Sequence, residues 1–515
     1  DRQGAHDRVG GRQRAGALGF PAVMRGAALL LSAACAALTC PAAAQRPDMP
    51  TSNTLPPKFG ASDRVEQLDS ADGKFRIHYT RTGEHAVPSA DANADGVPDF
   101  VQQVAQEYAA VGAYYADQLG FEPPLSDGDG RFDVYLLDFP TSSDGEFRKE
   151  ACLAAAAFRC TGYMLHENDF NGRNYPSLAR ATRILASHEY FHAVQNGYDA
   201  DASRVLSEGT AVWASEQYDP TLSDLEGFVA GYLQHTERSL GQEPMGPFDQ
   251  FSYGSALFFQ YLGERYGRDV IRELWGALRD RAEAGAASNW IDALDALLRE
   301  SHDSSLGDAF AEFTRWNLFT GERADAERGY ARGDGYPELA AKSVSLPYTD
   351  SALRVFPLAA RFYSVELSRA APRLVLRATG DGSGVRLLLA REAAGRIVAL
   401  QLSAAGAEPE LALDGAASGD RVFAAVINPR LGGESARPDV CLGSPQACAS
   451  AAEPDAGAEP ESEREASGGC SVQRRSGSAG GLGLCVLVGL SFAARRARRT
   501  RRSPLRSRAR FRSRS

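Results

Sequence analysis

The chain has 515 residues, with 56 Lys and Arg against 66 Asp and Glu, and only 8 histidines. That length exceeds one hydrophobic core and suits two domains. Segments 1–44 and 471–515 hold 18 of the basic residues and 2 of the acidic ones, so the body between them carries about 38 positive and 64 negative side chains. A body charged near −26 argues against a nucleic-acid partner and suits an extracellular protein.

Residues 1–23 precede the first methionine, Met24, and read as an extension of the gene model. Residues 24–44 read as a signal peptide: Arg25, an apolar run from Ala27 to Leu38, then Ala42-Ala43-Ala44 for cleavage. The run is short for a bilayer span. Residues 45–69 form a linker or short propeptide and contain no Cys or His to block a metal.

From Ser70 the pattern mixes strand and helix signals. Phe75-Arg76-Ile77-His78-Tyr79 alternates as a strand does, and Phe132–Leu137 is a second. Between them Val101, Val104, Tyr108, Val111, Tyr115 and Leu119 recur at helical spacing, ending at Gly120. A third strand is expected through Gly162-Tyr163-Met164-Leu165, and Gly162–Asn168 reads as a sheet edge along which a peptide backbone could pair. From Ser177 to Glu322 the spacing is mostly helical. After Leu346, short alternating segments separated by Gly-rich turns predict a β-sandwich over residues 346–450.

The body keeps Cys152, Cys160, Cys441 and Cys448. Four cysteines allow three pairings, and closeness in sequence favours Cys152–Cys160 and Cys441–Cys448. Residues 451–469 read as a disordered acidic linker. Residues 470–515 open with Cys470, continue through an apolar run from Leu482 to Ala494 and end rich in Arg, an order suited to stop-transfer.

The chemistry concentrates in Ser187-His188-Glu189-Tyr190-Phe191-His192. Two histidines four apart share a helical face and can converge on one ion, while Glu189, one residue round, can take a proton from a water beside it. Zinc would lower that water's pKa and polarise a carbonyl, which gives metal-assisted hydrolysis. The competing reading is a helix with two surface histidines and a local ion pair.

Leu206-Ser207-Glu208-Gly209-Thr210-Ala211-Val212-Trp213 opens a second helical pattern, with Glu208 in its first turn. With the upstream motif it resembles the gluzincin metallopeptidases. The resemblance implies His188, His192 and Glu208 as zinc ligands and Glu189 as general base. It also departs from that family, since only 15 residues separate His192 from Glu208. Glu216 is the alternative ligand. Phe251-Ser252-Tyr253-Gly254 resembles the segment that donates to the oxyanion in gluzincin aminopeptidases, implying that role for Tyr253, with His235 as the weaker competitor.

More widely, residues 70–345 resemble a group of secreted metallopeptidases of myxobacteria, through Asp95-Gly96-Val97-Pro98-Asp99 and the three segments above. The end of the chain resembles the MYXO-CTERM sorting tail, implying removal by a sorting protease and attachment at the outer membrane or cell surface. Asp91, Asn93, Asp95 and Asp99 resemble the start of a calcium loop, although Gln102 stands where an EF-hand has its last acid. The alternative is an Asx-rich turn leading into the helix.

The expected architecture is α+β, a zincin-like domain over 70–345 followed by the smaller all-β sandwich. The expected protein is an exported, surface-held zinc peptidase acting on proteins or peptides, with calcium as a second candidate ion. No clean G-x-M-E-N segment is present, which favours endopeptidase over aminopeptidase action. The rival is a non-catalytic adhesion or glycan-binding protein with a vestigial metal site.

Overall fold

A computed structural model describes residues 57–450, apart from 141–142, 245, 247–248, 288, 382–383 and 407–409. The expected signal segment, the acidic linker and the sorting tail lie outside the described residues.

The two-residue period of β2 (Phe75–Thr80) and β3 (Phe132–Leu137), both buried almost throughout, sends Phe75, Ile77, Phe132, Val134 and Leu136 to one face of a sheet. Tyr135 and Leu137 point to the other, where Phe59, Phe139, Tyr163 and Leu165 close a small second cluster. The sheet is completed by β1 (Val65–Asp69), β4 (Gly145–Leu153) and β5 (Ala156–Glu167), in the order β1-β2-β3-β5-β4. β2, β3 and β5 are parallel, while β1 and β4 are antiparallel edges. A parallel pair needs a crossover, which α1 (Asp99–Asp117) supplies between β2 and β3.

The three expected strands fall within β2, β3 and β5, and the expected helix matches α1, which ends at Asp117, two residues before Leu119. The expected edge does not hold. Gly162–Asn168 lies largely in β5, which is bonded to β3 on one side and β4 on the other. The true edge is β4. Its sequence, Gly-Glu-Phe-Arg-Lys-Glu, is charged in the manner of protected edge strands and carries no apolar alternation to reveal it. Cys152 and Cys160 face each other across β4 and β5 and are disulfide-bonded.

Helix α2 (Leu178–Tyr198) starts where the Ser177 hydroxyl accepts the Arg180 N–H. It lays Ala181, Leu185, Ala186 and Phe191 against α1 and the sheet. α3 (Arg204–Tyr218) follows, and begins two residues before the expected start, so Glu208 sits in its second turn. Next come short helices α4 (Asp224–Phe228), α5 (Ala230–Leu233) and α6 (Gln250–Gly254), then α7 (Ala256–Tyr266), α8 (Asp269–Glu283), α9 (Trp290–Ser301) and α10 (Leu306–Trp316). Gly209 serves close packing here. A Cβ on it would stand 2.4 Å from Ser255 Oγ and 2.6 Å from the Phe259 ring. We expect Gly209→Ala to cost about 1–3 kcal/mol, read as a lowered Tm, even though alanine is the better helix former.

Beyond residue 340 the described residues form strands and turns, up to a short helix at Pro445–Ser450. β8 (Ala359–Glu366), β10 (Arg386–Ala393), β11 (Arg396–Leu402) and β13 (Arg421–Asn428), with the short β6 (Lys342–Ser343), form a sheet in the order β11-β10-β13-β8-β6. β7 (Tyr348–Asp350), β9 (Ala371–Asp381), β12 (Glu410–Ala416) and β14 (Arg437–Gly443) form the other, in the order β12-β9-β14-β7. Leu376, Leu413 and Val440 meet Leu387, Leu389, Val422 and Val426 between the two sheets. The expected Cys441–Cys448 disulfide closes the end of β14.

The five-stranded sandwich sheet is covered on both faces. Phe362, Leu388, Phe423, Ala425 and Ile427 point away from the sandwich interior and belong to the same apolar core as the helices. β13 is therefore apolar at every residue from Val422 to Ile427 rather than alternating. Among the described residues no helix is long and apolar enough to cross a membrane.

Candidate metal centre

Helix α2 brings His188 and His192 to one face, with ring centroids 4.9 Å apart. Ligand atoms of His188, Glu189 and His192 all lie within 4.8 Å of one another, so this group could hold a metal ion. α3 adds the carboxylate of Glu208. Its Oε2 lies 3.4 Å from Nε2 of His188 and 3.4 Å from Nε2 of His192. That oxygen is buried and makes no well-aligned hydrogen bond. A buried anionic oxygen held only by these longer contacts is costly, and a cation between it and two imidazole lone pairs offsets the cost. The donor set of two imidazole nitrogens and one carboxylate oxygen suits zinc. The side chains remain 10%, 13% and 17% exposed for His188, His192 and Glu208, leaving the group open on one side.

The electrostatics agree. Burial alone would raise the Glu208 carboxyl, but His192 and then His188 hold it well below the usual carboxylate range. Burial opposes a charged His192, yet Glu208 and Glu189 outweigh it and push that imidazole up to about 9. A metal must displace this proton, so we expect metal affinity to weaken steadily as pH falls below about 9. Chelator competition between pH 6 and 9 would show it as a slope, and a flat profile would contradict it.

Glu189 faces the sheet edge. Its Oε2 accepts the backbone N–H of Phe147 in β4 at 3.0 Å, so the edge strand and the candidate base are in direct contact. Tyr253, on α6, stacks on His188 with ring centroids 5.7 Å apart and planes 11° apart. Burial first, and then Glu208 and Glu189, raise its phenol and keep it protonated, as a donor must be. Phe228 backs the Tyr253 ring at 4.9 Å. The structure thus gathers His188, Glu189, His192, Glu208 and Tyr253 in one place.

Two alternatives are not brought there. Glu216 binds Arg332, which also holds Glu226. His235 is exposed and faces Glu237 at 3.6 Å. Glu216 sits two turns along α3 from Glu208 and is pushed up to about 7, by burial first and then by Glu226. A carboxyl raised above its unfolded value favours folding at low pH, and that stability is lost as pH rises from about 4.5 through 7. We therefore expect Glu216→Gln to raise stability at pH 8 by on the order of 1–2 kcal/mol and to change nothing at pH 4. Denaturant titrations at the two pH values check this.

The Asp91–Asp99 segment is exposed and turned on itself. Asp91 accepts the N–H groups of Asp95 and Gly96, Asp95 that of Val97, and Asp99 that of Ala92, while Asn93 bonds Asp95. This is the layout of an Asx-rich turn leading into α1.

Sequence reasoning missed the partners behind His192. Its Nδ1 lies 2.7 Å from Gln195 Oε1. Gln195 Nε2 donates to the Ser207 carbonyl at 2.8 Å and to Thr210 Oγ1 at 3.0 Å, and Trp275 donates to the same hydroxyl at 3.3 Å. The available signal was a lone polar residue at i+3 from His192 on a buried helical face. Compared with known proteins, the chain matches no family model and no curated protein.

Proposed function

We propose that this chain is an exported zinc metallopeptidase with a zincin-like catalytic region and an endopeptidase action on proteins or peptides. The observation that carries the reading is the buried, unbonded Glu208 Oε2 placed 3.4 Å from two imidazole nitrogens of one helix, with Glu189 beside them. His188, His192 and Glu208 would hold the zinc, which supplies Lewis acidity when bound. Glu189 accepts the proton of the attacking water and passes it to the departing amine. Tyr253 donates its hydroxyl hydrogen to the oxygen on which charge develops. β4 offers its free edge for a substrate backbone to pair with, next to Glu189. Two disulfides suit an oxidising compartment, and the expected tail would keep the protein at the cell surface. Calcium at Asp91–Asp99 would brace the start of α1.

The test is hydrolysis of an unfolded protein substrate before and after dialysis against a chelator. Loss of cleavage that zinc restores supports the peptidase. Zinc-loaded protein that cleaves nothing across a broad peptide library would leave the binding-protein reading in its place.

A further inference from the structure

We infer that Gln195 is the residue that positions His192 for metal, by fixing which ring nitrogen carries the hydrogen and by tying the two ligand-bearing helices together. The inference rests on the metal centre proposed above and adds a role to a residue outside the zinc-binding motif.

The argument follows the hydrogens. The Thr210 hydroxyl hydrogen is committed to the Leu206 carbonyl at 2.8 Å, and a carbonyl can only accept. Thr210 Oγ1 must therefore accept from its other neighbours, Trp275 Nε1 and Gln195. The Ser207 carbonyl, also an acceptor only, takes the second hydrogen of the same Gln195 amide group. With both acceptors on one side, the NH₂ of Gln195 can face only that way, which turns Oε1 towards His192 and Ser207 Oγ. An amide oxygen cannot donate, so Nδ1 of His192 must carry the hydrogen. Nε2 is then the lone-pair nitrogen, and Nε2 is the atom that faces Glu208.

The same amide joins α2, which carries both histidines, to α3, which carries Glu208. Gln195 is buried, and its polar atoms spend all four bonds within this relay. An apolar residue of similar size would remove the side-chain donor to the Ser207 carbonyl and leave His192 Nδ1 with only the Ser207 hydroxyl, 3.3 Å away. A glutamate would set a carboxylate against that carbonyl. The usual benefit of a carboxylate behind a ligand histidine should therefore not appear at this position.

The experiment measures zinc affinity by competition with a chromophoric chelator in wild type, Gln195→Leu, Gln195→Glu and Ser207→Ala, with near-ultraviolet dichroism to confirm folding. Gln195→Leu is expected to bind zinc about 10–100-fold more weakly, and Gln195→Glu no more tightly than wild type. Ser207→Ala, which removes one bond to Oε1 and a longer 3.3 Å contact with His192 Nδ1 but leaves the anchoring carbonyl, is expected to lie within about threefold of wild type. In metal-free wild type, at a pH where both imidazoles are neutral, ¹H–¹⁵N correlation should place the His192 hydrogen on Nδ1. That readout needs no variant to fold. A hydrogen on Nε2, or unchanged affinity in folded Gln195→Leu, would overturn the inference. A wild type that takes up no zinc, with the hydrogen still on Nδ1, would instead remove the metal reading.

Discussion

Replacing Glu189 by Gln is expected to leave zinc bound and to lower kcat/KM for peptide hydrolysis by about 10²–10⁴-fold. The reasoning is local. Glu189 lies between the two histidines on α2 but belongs to a neighbouring position round the helix, and its Oε2 already accepts the Phe147 N–H. A glutamine keeps the shape and can keep that bond, because its amide oxygen also accepts. It cannot take a proton. The variant therefore isolates proton transfer from both fold and metal. Zinc content and turnover of a quenched fluorescent peptide should be measured on one preparation. Full activity would sink the mechanism, and loss of zinc together with activity would move Glu189 from base to ligand.

The second large effect is on the metal itself. Wild-type protein is expected to carry about one zinc per chain, and His192→Ala and Glu208→Ala are expected to carry none. Each substitution removes one of the three donors proposed for the ion. Glu208→Ala has an added consequence. Without the carboxylate the remaining imidazoles lose the negative charge that holds His192 near 9, so the metal-free variant should bind protons less tightly at that site. Elemental analysis of the three proteins decides the first point, and His192 titration by nuclear magnetic resonance decides the second. Zinc retained in His192→Ala would place the metal elsewhere.

What the sequence revealed follows the range of the interactions involved. His188, Glu189 and His192 lie within five residues, so helical geometry alone brought them together. Glu208 and Tyr253 were reached through resemblance, and the structure places both beside the histidines. The competition between Glu208 and Glu216 could not be settled locally, because the partner that draws Glu216 away is Arg332, 116 residues further on. β4 escaped notice because an edge strand bonded to one neighbour needs no apolar face, and its charges read as loop. Gln195 was visible only as one polar residue in a buried turn. Its meaning depends on Ser207 and Thr210 of the next helix.

The unbroken apolar run of β13 has its own consequence. Its sheet serves as a common wall, with the sandwich interior on one side and the helices around the metal centre on the other. Neither side can open without exposing that wall to water. The helices and the sandwich should thus melt as one cooperative unit, with a single calorimetric transition, and a polar residue at Phe423 should lower the melting point of the helices as much as that of the strands.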